Sequence, residues 1–350
     1  MPRSIEVTVP EPSQEPPKGR APSIRDVARV AGVSHQTVSR VLNHHPSIRP
    51  ETKQRVLDVM AELQYTPNRA ARALVTSRSR TIGILSASST HYGPASSIAA
   101  IEAAARAAGY WVSTANIESS DAVSIADGLA YLRAQGIEGL VVIAPQVRVF
   151  DTLAQLSIDV PYVTLQSTGR DPEHTLSVDQ IAGARMATRH LIERGHRSIY
   201  HLAGPQDWIE AEARMRGFLD EMGAQDVPTT APILGDWTAD FGFHAGRELL
   251  TVRDFTAIFA SNDQMALGVM HAVRDAGLEV PRDVSIVGFD DIPEAAHFWP
   301  PLTTVRQDFA ELGRRCVALL LGDLDDAAPE YRGTIVPELI VRDSVGAPAF

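Results

Sequence analysis

The sequence predicts an α/β protein in which a small all-α module precedes a large core of doubly wound parallel sheets. Three observations carry this. Caps and apolar periodicity between residues 22 and 67 mark three short helices, short apolar runs alternate with alanine- and leucine-rich helical stretches beyond Arg80, and the charge divides along the same line. Residues 20–80 hold eleven Lys and Arg against four Asp and Glu, a balance of +7, whereas residues 81–350 hold 19 basic and 36 acidic residues, a balance of −17. The first module is the part suited to meet a polyanion, although a solvated charged surface would show the same asymmetry.

At 350 residues, 44% hydrophobic and 21% charged, the chain has the composition of a soluble protein with two or three sizeable cores. No apolar run approaches the roughly 20 residues that cross a bilayer, so no membrane partner is expected. Residues 1–21, rich in proline and glutamate, are expected to be a disordered tail rather than a secretory signal. A single cysteine, Cys316, excludes an internal disulfide framework and fits a reducing cytoplasm. Its setting, L-G-R-R-C-V-A-L-L-L, predicts burial in a helix.

The elements of the first module follow in order. Ser23 and Asp26 resemble a capping box, after which Ile24, Val27, Ala28 and Ala31 share one face of a short helix that Gly32 stops. Ser34 caps a second helix with Val38, Val41 and Leu42 inward and His35, Gln36, Ser39, Arg40 and Asn43 outward. Pro50 opens a third, whose Val56, Val59, Met60 and Leu63 close a three-helix core. Two short helices joined by a tight glycine turn, the second presenting polar groups from its N-terminal end, form a helix-turn-helix. A major groove about 12 Å wide admits the second helix, and Gln and Arg pair bidentately with base edges. The competing reading is an amphipathic bundle helix with a polar face.

Beyond Arg80 the strand candidates are T-I-G-I-L-S, Y-W-V-S-T-A, G-L-V-V-I-A, P-Y-V-T-L, S-I-Y-H-L-A, A-I-F-A and V-S-I-V-G-F, with helices between them. Alternation on this scale means parallel sheets covered on both faces, and two such sheets fit the length. Ligands of open α/β sheets sit beyond the carboxyl ends of the strands. Arg214, Asn262 and Asp290 lie just past such ends or in the next helical turn. A sugar's vicinal hydroxyls need a fork donor, an acceptor and an amide that does both, and Trp237 can cover an apolar sugar face. Against this stand a structural ion pair for Arg214 and Asp290, a helix cap for Asn262 and core packing for Trp237.

The segment I-R-D-V-A-R-V-A-G-V-S-H-Q-T-V-S-R-V-L-N, followed by Y-T-P-N-R-A-A-R-A-L, closely resembles the lactose-repressor (LacI) family of bacterial transcription regulators. The resemblance continues through A-G-P at 203–205, G-D-W at 235–237, S-N-D-Q-M-A-L-G at 261–268, V-G-F-D-D at 287–291 and P-P-L-T-T-V-R-Q-D-F at 300–309, covering residues 23 to 343. It implies a helix-turn-helix headpiece at 22–67 and a hinge helix and linker at 68–80. A periplasmic-binding-protein-like core at 81–350 then comprises one subdomain at 81–179 and 307–333 and another at 180–306 and 334–345. His35, Gln36 and Arg40 occupy base-reading positions, while Ser34, Thr37, Ser39, Asn43, Thr52, Asn68 and Ala71 match positions that contact DNA. Leu74 stands where the hinge helix inserts an apolar wedge into the minor groove, and seven helix formers are too few to hold that helix alone. In the core Arg214, Asn262, Asp290 and Trp237 match effector-pocket positions, with Gln307 beside a crossover and Val178 near the wall.

Two departures stand out: the family's namesake has Tyr where this chain has His35, and a carboxylate where it has Gln166. The loop after A-G-P carries Trp208, Glu210 and Glu212. The expected protein is a homodimer that binds pseudo-palindromic operator DNA and is released by a small effector, a glycoside first and a non-sugar molecule second. A sugar-processing enzyme using Asp290 and Asp291 and an architectural DNA-binding protein are the remaining classes; adjacent carboxylates on a turn tend to point apart. The eleven histidines are scattered, and no G-x-S-x-G, Walker or C-x-x-C pattern occurs. No metal, cofactor or catalytic residue is expected.

Overall fold

A computed structural model of the chain describes residues 22–42, 45–66, 78–87, 89–117, 121–153, 155–156, 158–166, 174–325, 327 and 333–348. Asn43, Asn68, Ala71 and Leu74, with the expected tail and hinge helix, lie outside them. The chain divides into two compact units, residues 1–79 and 80–350.

In the first unit α1 spans Ile24–Val30, α2 His35–Leu42 and α3 Pro50–Glu62. The capping box forms in full: Ser23 Oγ accepts from the Asp26 amide, and the Asp26 carboxylate accepts from the Ser23 amide. Gly32 turns the chain at φ +65°, a left-handed conformation that any side chain would strain. Ser34 Oγ then accepts from the Thr37 amide at 3.1 Å and starts α2, while Pro50 stands at the first turn of α3. Val27, Ala28, Ala31, Val38, Val41, Val56 and Val59 are buried together, with Met60 and Leu63 packed on their edge.

The second unit holds two sheets. The first comprises β1 Thr81–Ala87, β2 Trp111–Ile117, β3 Gly139–Ile143, β4 Tyr162–Leu165 and β5 Thr175–Leu176, in the order β2-β1-β3-β4-β5 and wholly parallel. The second comprises β6 Ile199–Ala203, β7 Ile233–Leu234, β8 Ala257–Ala260, β9 Ser285–Asp290, β10 Thr303–Arg306 and β11 Glu338–Ile340, in the order β11-β10-β9-β8-β6-β7. It is parallel except at the β10–β11 edge, which is antiparallel. The seven strands expected from apolar runs are all present. The central runs are buried on both faces, as β1, β3, β8 and β9 show at every residue, whereas the edge strand β2 is only partly buried.

The helices that follow are α4 Tyr92–Ala107, α5 Ala122–Ala134, α6 Val147–Leu153, α7 Gln180–Glu193, α8 Ile209–Ala224, α9 Ala239–Val252, α10 Asp263–Asp275 and α11 Phe309–Leu324. Between β5 and β6 the chain passes from the first sheet to the second through α7, which packs on α8 and β9–β11. After β10 it returns as α11, packed on α4 and on β3 to β5. It crosses a third time to reach β11. Val178 and Ile335 bridge in parallel where the first and third crossings run side by side. In each sheet the strand order reverses beside the first strand of that lobe, between β1 and β3 and between β6 and β8, which opens a crevice at their carboxyl ends. Both crevices face the same cavity.

Candidate functional site

The cavity has a volume of about 230 Å³ and lies between the two lobes of the second unit. Arg214, Asn262, Asp290, Trp237, Gln307, Gln166 and Val178 all line it. All but Arg214, which stands in α8, reach it from a strand end, from the residues just past one or from a crossing.

Asp290 is the last residue of β9 and adopts φ +109°, a strained conformation outside glycine. The twist turns its carboxylate into the cavity. Its neighbour Asp291, at φ +52°, turns the other way and is held by Arg306 at 2.7 Å and Arg342 at 2.6 Å. Two adjacent carboxylates that face different surroundings do not form an acid/base pair.

Arg214, in the second turn of α8, is 5% exposed. Its Nε donates to Gln180 Oε1 at 2.8 Å, one terminal nitrogen donates to the Ser261 carbonyl, and the other stands 3.5 Å from Asp290 Oδ1. Gln180 Nε2 donates to Gln307 Oε1 at 2.8 Å, and Gln307 Nε2 donates to Asp290 Oδ1 at 2.7 Å. The four side chains thus close a ring, and its two amides sit on the first and second crossings. Burial lifts the Asp290 carboxyl to about 6, opposed by Arg214 and by the Gln307 hydrogen bond. Burial also lowers the Arg214 guanidinium, against the pull of Asp290 and Glu210. The ion pair expected as the alternative reading is therefore real, and it is also part of the cavity wall.

Trp237 lies under the same guanidinium, 5.6 Å from ring to cation, and meets Trp208 edge-on at 5.3 Å. Gly204, one residue past β6, makes room: a Cβ there would stand 2.2 Å from the indole. Trp237 belongs to the core cluster of its lobe as well as to the cavity. Asn262 caps α10, its Oδ1 accepting from the Met265 amide at 2.9 Å while its Nδ2 donates to the Trp237 carbonyl at 3.0 Å. Gln166, just past β4, donates to Thr175 Oγ1 at 3.1 Å and is almost wholly buried. Behind the wall, burial raises Asp263 well above the usual carboxylate range, although Thr304 and the Ile292 amide donate to it.

One expectation needs correction. Glu210 and Glu212 do not lie in a loop: they form the first turn of α8, where a carboxylate is favoured by the helix dipole, and Trp208 is its N-cap. The sequence reading also missed Gln180, and it missed His91, Tyr92 and Phe309, which line the cavity from the other lobe. His91 and Tyr92 follow β1, so the rule that ligands meet the carboxyl ends of strands could have found them. Among the described residues, no group of three His, Cys, Asp or Glu is placed to hold a metal ion, and no helix is long and apolar enough to cross a membrane. Cys316 is buried in α11, its thiol pushed up to about 12 by the apolar surroundings.

In the first unit Ser34, His35, Gln36 and Arg40 are exposed along one side of α2, Thr37 and Ser39 are half-buried beside them, and Thr52 is half-buried in the first turn of α3. Arg25, Arg29, Arg49, Lys53 and Arg55 are also exposed. This surface can offer hydrogen bonds to base edges and cations to phosphates.

Residues 23–68 match the family of bacterial regulatory proteins, lacI family, and residues 188–345 match the periplasmic binding protein-like domain. The chain is 33% identical to the lactose operon repressor of Escherichia coli K12 over 332 residues, 93% of this chain and 91% of that one. It is 34% identical to the HTH-type transcriptional regulator CelR of Thermobifida fusca over 341 residues, 93% of this chain and 98% of that one. Among solved structures, the lac repressor dimer bound to operator and the anti-inducer ONPF superposes with a TM-score of 0.81 at 33% identity, covering 94% of this chain and 100% of that chain. The CelR–cellobiose complex superposes with a TM-score of 0.67 at 30% identity, covering 92% and 99%.

Proposed function

The chain belongs to the lacI family of bacterial regulatory proteins, and on that premise we propose that it is a cytoplasmic, ligand-responsive transcriptional repressor. It binds a pseudo-palindromic operator as a homodimer and leaves it when a small saccharide fills the cavity between its lobes. One recognition helix reads only a half-site, so two-fold symmetry in the protein calls for near-symmetry in the DNA. The side chains assigned to the operator are Ser34, His35, Gln36, Thr37, Ser39, Arg40, Asn43 and Thr52 from the headpiece and Asn68, Ala71 and Leu74 from the hinge. Those assigned to the effector are Arg214, Asn262, Asp290, Trp237, Gln307, Gln166 and Val178.

The observation that carries this reading is the ring of Arg214, Gln180, Gln307 and Asp290 beside the Trp237 indole. A saccharide presents hydroxyls along its edge and C–H groups on its face, and this wall pairs polar edge groups with an aromatic plate. The ring also joins both lobes through two crossings, so a ligand bound there favours one lobe arrangement only through differential contacts with it. The protein is read as a binder that turns nothing over, since the two adjacent aspartates face apart and Asp290, the one of them in the cavity, is committed to Arg214 and Gln307.

The test is selection of binding sites from randomised duplex DNA, followed by anisotropy titration of the enriched site with and without saccharides. A pseudo-palindrome bound by a dimer in light scattering, and released by at least one saccharide, is the expected result. Hydrolysis of that saccharide, or enrichment of no sequence at all, would overturn the reading.

A further inference from the structure

Glu210 stands apart from the ring. It reaches the cavity from the first turn of α8, and that turn is fixed against the opposite lobe: the Ile209 amide donates to the Pro145 carbonyl at 2.9 Å, and Trp208 bridges Gln146. Its Oε2 is buried and accepts no hydrogen bond. The Nε1 of Trp237, on the same cavity wall, is likewise buried and donates to nothing. An acceptor and a donor are therefore left for whatever enters.

The remaining charges of the wall restrict what that is. Among the described residues no lysine lines the cavity, and the one guanidinium there, Arg214, is already committed to Gln180, Ser261 and Asp290. Two carboxylates, Glu210 and Asp290, share that single cation. His91, the imidazole on the opposite lobe, stacks edge-on against Trp208 at 5.1 Å, and burial lowers its affinity for a proton. The partial positive charge at the start of α8 is taken up by Glu210 and Glu212 themselves. Among the described wall residues an entering anion would meet a carboxylate that Arg214 offsets only in part and no free cation, and like charges placed together in a site of low dielectric are a means of rejecting a ligand.

We propose that Glu210 is the specificity-determining residue of this cavity: its carboxylate accepts a hydroxyl of a neutral saccharide and excludes saccharides that carry a carboxylate or phosphate. The inference rests on the reading of the cavity as a saccharide site and narrows it to uncharged ligands. Burial, opposed only in part by a hydrogen bond from its own backbone amide and by Arg214, lifts the Glu210 carboxyl to about 7. A hydroxyl donated to Oε2 favours the charged form, so the bound state holds its proton less tightly than the free one. Affinity for the neutral ligand therefore rises as pH rises towards about 7 and levels off above it. The other titratable groups on the wall are Arg214, Asp290, His91 and Tyr92; Asp290 titrates lower, at about 6.

The experiment is calorimetric titration of the full-length protein at pH 8 and pH 6 with cellobiose, lactose, p-nitrophenyl β-glucoside and p-nitrophenyl β-galactoside. The matching β-glucuronide and β-galacturonide, which differ only by a carboxylate at C6, form the second arm. At least one neutral glycoside binds, more weakly at pH 6, and its acidic counterpart binds about tenfold or more weaker, the size of effect expected for about 1.4 kcal/mol or more of unpaired charge. Glu210→Gln weakens the neutral ligand, flattens the pH dependence near 7 and narrows the discrimination against the acid. Equal binding of acid and neutral glycosides by the native protein overturns the proposal without any variant. Unchanged affinity and pH profile in Glu210→Gln overturns it too. If no saccharide binds, the saccharide reading of the cavity falls and this proposal with it.

Discussion

Gln180 and Gln307, 127 residues apart in sequence, share a buried hydrogen bond of 2.8 Å at the two places where the chain passes between lobes. Gln180 opens α7 after the first crossing, and Gln307 opens the return to α11 after β10. Each amide also uses its other end, Gln180 to accept from Arg214 and Gln307 to donate to Asp290. A buried amide satisfied at both ends fixes the orientation of its neighbours, because a flip would break both bonds at once. A double-mutant cycle of Gln180→Ala and Gln307→Ala, read by chemical denaturation, is expected to give a coupling of about 0.5–1.5 kcal/mol, the net worth of one such bond. Additive effects would show that the two crossings are stabilised independently.

The ring predicts how the response is lost. Arg214→Ala and Asp290→Ala each remove hydrogen bonds to a charged group, worth roughly 1.5 to 3 kcal/mol, or about ten- to 150-fold in ligand affinity. Both variants are expected to keep operator binding and to stay on the operator at saccharide concentrations that release the native protein. The measurement is operator anisotropy beside calorimetric ligand titration. Native ligand affinity in Arg214→Ala would remove this side chain from the site.

The sequence showed the strands that carry long apolar runs and hid those that are short or polar. β1, β3, β8 and β9 read as continuous apolar runs because helices cover both sides of the sheet. β5 and β7 are two residues each and have no period to detect. β10 is T-T-V-R, three of its four residues polar, and its threonines are buried because Thr303 and Thr304 hydrogen-bond to Ser344, Arg342 and Asp263. The site was legible where a polar residue follows an apolar strand, as for Asn262 and Asp290. Gln180 was not, because its role depends on Gln307 and Arg214, neither near it in the chain. The strain at Asp290, φ +109°, has no sequence signal either.

Stability in acid should depend on Glu221, whose side chain is wholly buried in α8 between Arg185 and Arg189 of α7 at 2.9 and 2.7 Å. The hydrogen bond from Arg189 leads the forces that hold its carboxyl down at about 2, against an ordinary value of 4.5. A carboxyl depressed in the folded state contributes stability that is complete above about 4.5 and is lost as pH falls towards about 2. Glu221→Gln is expected to lower stability near neutrality by about 1–3 kcal/mol, with the difference from the native protein shrinking below pH 4. Denaturant titrations at pH 7 and pH 3 check this. A difference that stays constant across that range would assign the cost to packing rather than charge.

The headpiece predictions separate base reading from DNA deformation. Arg40 is exposed on α2, on the side that carries His35 and Gln36, while Val38 and Val41 of the same helix are buried and hold it to the core. A guanidinium that forks onto guanine discriminates against other bases by about 1–3 kcal/mol, whereas one that meets a phosphate adds affinity without preference. Arg40→Ala is therefore expected to relax preference at one position of each half-site and to leave the other positions unchanged. Leu74→Ala, by contrast, removes the apolar wedge assigned to the hinge. It is expected to weaken the selected operator while leaving half-site preferences and saccharide affinity near native, because kinking the duplex acts at the centre of the site and the cavity residues are untouched. Competition binding against single-base operator variants resolves both effects. Uniform weakening over all variants in Arg40→Ala would make this arginine a phosphate contact, and operator binding unchanged in Leu74→Ala would remove the wedge from the hinge.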